Sequence, residues 1–135
     1  MNSSGATGAA ASRGIIELAG RVLLALLFFY TGLGKIGAYT GTAAYMSSSG
    51  VPGFLLPLVI ALEVGGSVAI IVGWHTRIVA SLLAGFTLLS ALIFHTHFAD
   101  QTQLIMFMKN VSITGGFLFL VAHGAGPLSL DARRR

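Results

Sequence analysis

The chain has 135 residues, of which 55% are hydrophobic and 9% charged, with a formal net charge of +4 and a mean hydropathy of +0.86. A soluble domain carries about a quarter charged residues, so this chain lacks the polar surface to face water and reads as one integral membrane domain. It has no cysteine, which excludes disulfides, thiol redox relays, iron–sulfur ligation and cysteine nucleophiles.

Residues 1–13, small and polar up to Arg13, read as a flexible tail. VLLALLFFY follows Arg21, but no small-residue cleavage site follows it, so the segment reads as a retained helix rather than a signal peptide. Four apolar runs come next, each near the ~20 residues a crossing needs: 14–36, 54–73, 78–98 and 104–121. They predict an all-α, antiparallel transmembrane four-helix bundle over residues 14–131, followed by a basic tail at 132–135.

The only long link, GAYTGTAAYMSSSGVPG, carries Tyr39, Tyr45 and Met46 and predicts a short segment lying on the membrane surface. The links WHTR and ADQTQ are tight, so the last three helices are antiparallel neighbours. With both termini cytoplasmic, Arg13, Arg77 and Arg133–Arg135 lie inside and only Lys35 lies outside, as the positive-inside rule prefers. Trp74 then sits at the inner interface, with Phe54 and Phe98 at the outer one. The C-terminal arginines suit anionic lipid head groups rather than nucleic acid.

Small residues at Ala61, Gly65, Ala69 and Gly73 lay a groove along the second helix. Thr76, Ala80 and Ala84 repeat it on the third, with Ser81 and Gly85 beside them. Such faces let membrane helices approach closely. Pro57 stands in the first turns of the second helix, where it frees a carbonyl and bends the helix.

Ionisable groups inside the membrane are costly and mark function or packing. Lys109 lies about 7–8 Å below Leu104 and Glu63 about 15 Å below Gly53, at 1.5 Å per residue. Side chains lean toward their helix N-terminus, so Glu63, Lys109, Lys35, His95 and His97 converge on one layer in the outer half. A carboxylate alone in hydrocarbon takes up a proton, whereas a lysine beside it keeps both charged. Glu63 is therefore expected to pair with Lys109, either as a catalytic or proton-handling couple or as a register-fixing ion pair. Glu17 and Arg21, spaced i, i+4, suit a local salt bridge with Arg21 reaching for head groups.

His95 and His97 point about 200° apart on a helix, and a haem between His75 and His123 would be poorly buried, so no metal site is expected. GLG in TGLGK follows no strand and is not a dinucleotide fingerprint. No phosphate loop, nucleophile triad or carboxylate pair is present.

These residues, in order, resemble the DoxX family of small bacterial membrane proteins. The likeness runs through RVLLALLFFYTGLGK with Arg21, Gly32 and Lys35, then Pro57, Glu63, Gly65–Gly66, Gly73 and Thr76–Arg77. It continues through Phe94–His95, Lys109–Asn110, Gly115–Gly116 and GAGPLSLD. The resemblance implies a four-helix bundle in the inner membrane, associated with redox assemblies such as thiosulfate:quinone oxidoreductase, in which a related protein is a membrane subunit. It also implies a quinone as the bound cofactor and a redox partner subunit or a second copy as company. A quinone headgroup would be met by Lys35, His95, Asn110, Phe107 and Tyr30, with Phe28 and Phe29 adding aromatic wall. Two other roles use the same layer: a carrier for a small solute or proton, and a structural anchor or assembly subunit.

Overall fold

A computed structural model describes residues Ser3–Arg134. The tail residues before Ser3, and Arg135 of the basic tail, lie outside the described part. Four helical stretches are long and apolar enough to cross a membrane: Ser4–Gly37, Gly53–Val72, Thr76–Phe94 and Gln101–His123. Helix α1 (Ser3–Gly37) starts well before the hydropathy signal at Gly14. Alanine-rich GATGAAAS needs no apolar surroundings to propagate a helix that is already nucleated.

Helix α2 (Tyr39–Ser48) forms within the long link. Its Met46 is buried and its Tyr45 ring stacks on Phe94 at 5.3 Å. The chain turns at Gly50, with φ of 87°, and enters the second span through a 3-10 turn at Gly53–Leu55.

The second span is not one regular helix. Helix α3 (Leu56–Ile60) carries Pro57 in its first turn, where the missing N–H would have had no helical partner anyway. Pro57 thus starts the helix rather than bending it. A π-helical turn at Ala61–Gly65 follows, and α4 (Gly66–Val72) completes the span. The wider turn holds an extra residue and rotates everything after it. The expected face of small residues every fourth position is therefore broken. Ala61 and Gly65 are exposed, while Gly66, Ser67, Ala69, Ile70 and Gly73 are buried.

Helix α5 (Thr76–Phe94) buries Thr76, Ala80, Leu83, Ala84, Thr87 and Ala91, a continuous small-residue face. Ser81 and Gly85 lie outside it. Helix α6 (Gln101–His123) makes its most extensive contact with α5. It meets α1 chiefly where Phe117 packs edge-on against Phe28, with ring centres 5.4 Å apart. The core is small: Ala25, Phe28, Ile70, Ala80, Leu83, Ala84 and Phe117. Leucines and isoleucines such as Leu23, Leu58, Ile78 and Leu89 are exposed, as expected where lipid replaces water.

The last element, α7 (Leu130–Arg133), folds the C-terminal strap back over the ends of the bundle. Arg21 reaches from α1 to the carbonyls of Ile70 at 3.2 Å and Ile71 at 3.0 Å, and also donates to Leu128 O. It is 1% exposed. The expected Glu17–Arg21 bridge is therefore corrected. Glu17 accepts from Arg13 at 2.9 Å, while Arg21 caps the carbonyl-rich end of α4, where a cation is favoured. Asp131 receives the N–H of His75 at 2.7 Å and of Thr76 at 2.9 Å, capping α5.

Candidate functional site

The site begins at the irregular turn. Spaced i, i+4 on α1, Thr31 and Lys35 face the same way and meet Glu63 in the middle of the π turn. The Lys35 ammonium stands 2.8 Å from Glu63 Oε2 and 3.1 Å from Oε1. Thr31 Oγ1 donates to Oε1 at 3.2 Å. Glu63 is 3% exposed. Gly32 makes the approach possible, because a Cβ there would stand 2.8 Å from Val64 Cγ2 and 3.0 Å from Glu63 Cβ.

The counter-charge of Glu63 is therefore Lys35, and the expected pairing with Lys109 is corrected. Lys109 is exposed on the outer surface of α6 and forms no ion pair among the described residues. Packing explains the difference: the second span presents Glu63 to α1, whereas α6 packs mainly on α5. Lys109 leans toward the N-terminus of its helix, so its ammonium reaches for the membrane surface.

The pair forms one wall of a cavity of about 450 Å³ between α1, the second span and α5. Apolar side chains dominate the rest, among them Phe28, Met46, Phe86 and Phe94. Helix α2 lies across one end through Thr42, Tyr45 and Met46. Leu58 and Leu89 also line it, and they are 68% and 56% exposed. The cavity therefore opens sideways onto the lipid-facing surface.

Two further expected site residues reach the cavity. His95 lines it while its Nδ1 lies 2.8 Å from Gln103 Oε1. With that oxygen as acceptor, Nδ1 carries the proton and Nε2 is left to accept one. Asn110 lines it from α6, and its amide donates to the Thr87 carbonyl at 3.3 Å. Tyr30 is 76% exposed on the lipid side of α1, and Phe107 packs edge-on against Phe98 at 5.1 Å. Neither lines the cavity, nor do His97 and Lys109.

Thr31 went unnoticed in the sequence, although its spacing from Lys35 was a usable signal. The roles of Tyr45, Met46 and Thr87 had no such signal, because each depends on how separate helices meet. Among the described residues, no group of three or more histidines, aspartates or glutamates is placed to hold a metal.

No solved structure matches the chain. The inner membrane protein YqjF of Escherichia coli is 53% identical over 84% of this chain and 88% of its own length. The inner membrane protein YphA of the same organism is 39% identical over 91% and 93% respectively. CatD of Bacillus subtilis, provisionally named an oxidoreductase, is 38% identical over 54% of each chain. The family model described as DoxX matches residues 16–96, which carry Arg21, Gly32, Lys35, Glu63 and His95. With four membrane-spanning helices, close inner-membrane relatives and the family's span covered, this chain is an inner-membrane protein of the DoxX family.

Proposed function

We propose that the protein is the quinone-interacting subunit of a membrane redox complex, with the headgroup held at the Lys35–Glu63 pair. The observation that carries this reading is a cavity of about 450 Å³, apolar throughout except for a few convergent polar groups, and open to the lipid phase. A quinone has that outline: a polar ring on an apolar tail that travels within the bilayer. One relative with an oxidoreductase name supports the redox class.

When bound, a quinone supplies two-electron, two-proton reduction to a quinol. The residues of this chain do the rest. Lys35 would donate a hydrogen bond to one ring oxygen and give up a proton to the reduced ring, with the Glu63 carboxylate holding the ammonium in position, and His95 on the cavity wall would meet the other oxygen. Phe28, Phe86 and Phe94 exclude water from the ring. The electrons would come from a partner subunit, since this chain has no cysteine to carry them.

The test is titration of a short-tailed ubiquinone into the protein in nanodiscs, followed by calorimetry. Binding should weaken at least tenfold in Lys35→Met and Glu63→Gln, an energy of about 1.4 kcal/mol. Lys109→Met and Tyr30→Phe should bind as the parent does. A parent that takes up no quinone, or four variants with one affinity, overturns the reading.

A further inference from the structure

A second recess lies at the opposite end of the molecule, on the side that carries both termini. Helices α1 and α6 are in contact at Phe28–Phe117 and at Leu24 against Gly116. Beyond that point they leave an open groove of about 770 Å³. Its floor and walls are Gly20, Leu23, Leu24, Gly116, Phe119 and Leu120. Nothing lies within 4 Å of a Cβ built on Gly20, so the groove is empty of protein along that side.

The mouth of the groove is charged. Helix α1 has 35 residues and so runs about 52 Å, well beyond the ~30 Å hydrocarbon core. Counting about 20 residues back from its other end places Arg13 and Glu17 at head-group level. His123, the last residue of α6, and Gly124 line the same mouth. The Arg77 guanidinium lies over Gly124, with Nε 3.3 Å from where a Cβ would stand. Arg13 is held to Glu17 through Nε alone, and its side chain is 78% exposed. Arg21 is spent on backbone carbonyls inside the fold. Arg77 stands beside the lining residue Gly124 rather than on the lining itself, so with Arg13 it sets two guanidiniums against the Glu17 carboxylate at the edge of an apolar slot.

We propose that this groove is a site for one anionic phospholipid, its phosphate between Arg13 and Arg77 and one acyl chain lying between α1 and α6. A basic pocket between membrane helices at the head-group level is what such a lipid recognises. Guanidinium forks bind phosphate oxygens in pairs. Phosphatidylcholine, with a cation of its own beside the phosphate, fits the mouth less well. Seated there, the lipid bridges two helices that make little contact of their own. The site is independent of the quinone reading, because it shares no residue with the cavity at Glu63.

The test is thermal unfolding of the detergent-purified full chain with added dioleoyl phosphatidylglycerol or dioleoyl phosphatidylcholine, which share their acyl chains. Phosphatidylglycerol should raise the Tm at a few lipids per protein, and phosphatidylcholine should not. The double variant R13Q/R77Q removes the phosphate ligands and should lose most of that rise. Gly20→Leu fills the slot with the charges intact and should lose it too. Equal rises with both lipids would reveal bulk solvation by lipid and overturn the proposal. A rise that survives Gly20→Leu, or survives R13Q/R77Q, overturns it as well. Both arginines are exposed, so the charge variants remain readable if Gly20→Leu fails to fold.

Discussion

Among the described residues Glu63 meets one cation, Lys35. Its side chain is 4% exposed, while that of Lys35 is 27% exposed. Removing one member of a buried pair leaves an uncompensated charge and typically costs about 3–5 kcal/mol. Lys35→Met, which strands the more buried partner, should therefore destabilise more than Glu63→Gln. The double variant should recover much of the loss, giving a coupling well outside additivity in a double-mutant cycle. Lys109→Met should leave the unfolding midpoint in detergent nearly unchanged. Equal losses at positions 35 and 109 would sink this assignment. Gly32 acts on the same contact by shape alone. Gly32→Val drives a side chain into Val64 and Glu63 Cβ, and overpacking of that kind costs about 1–3 kcal/mol. Thermal unfolding together with loss of quinone binding checks it.

At the scale of elements, three devices position the site. The π turn at Ala61–Gly65 turns Glu63 toward α1 and turns Gly66, Ala69 and Ile70 into the core. Deleting Val64 closes the turn and should cost far more stability than deleting Ser48 from the end of α2. The stack of Tyr45 on Phe94 holds α2 across the cavity. Tyr45→Ala should lose about 0.5–1.5 kcal/mol and admit water, seen as faster labelling of a cysteine placed at Ser90, which lines the cavity.

The third device is the cap on α5. Burial pushes the Asp131 carboxyl up, but the N–H groups of Thr76 and His75 and the charge of His75 outweigh it, so its pKa is lowered. A group lowered in the folded state stabilises above its unfolded value of about 3.9, and that stability is lost as pH falls through the folded value. Asp131→Asn should thus be less stable than the parent near neutral pH, by about 0.5–2 kcal/mol for a lost cap. The two should begin to converge below about pH 4 and meet only once the pH has passed the lower folded value. Paired melts across that range measure it, and a gap that widens in acid would contradict the sign.

The molecule as a whole presents an apolar belt, a side-opening cavity toward one end and a clasp of Arg21, Asp131 and Gly73 at the other. Gly73, with φ of 73°, lets the strap approach so closely that a Cβ would meet Ser129. Arg13, Arg77, Arg133 and Arg134 gather at the clasp end and Lys35 lies toward the cavity end. By the positive-inside rule the cavity is expected to face away from the cytoplasm. Because the chain has no cysteine, single cysteines report on this directly. One at Ser48 should react with an impermeant maleimide added outside intact cells, and one at Arg134 only after lysis.

Crossing the membrane was legible residue by residue, because hydropathy is a local sum that survives any choice of neighbour. The four spans and the small-residue face of α5 follow from composition and period. Of the five groups expected in one layer from depth along each helix, Lys35, Glu63 and His95 line the cavity, whereas Lys109 and His97 do not. Which cation answers Glu63 was not legible. Rotation about a helix axis decides which way a side chain looks, and the extra residue in the π turn changes that rotation midway along the second span. Arg21 and Asp131 show the same limit: a guanidinium beside Glu17 in sequence caps a helix far along the chain, because folding back brings carbonyls closer than the neighbouring carboxylate. Depth is a property of one helix, and the sequence determines it; pairing is a property of two, and only their packing decides it.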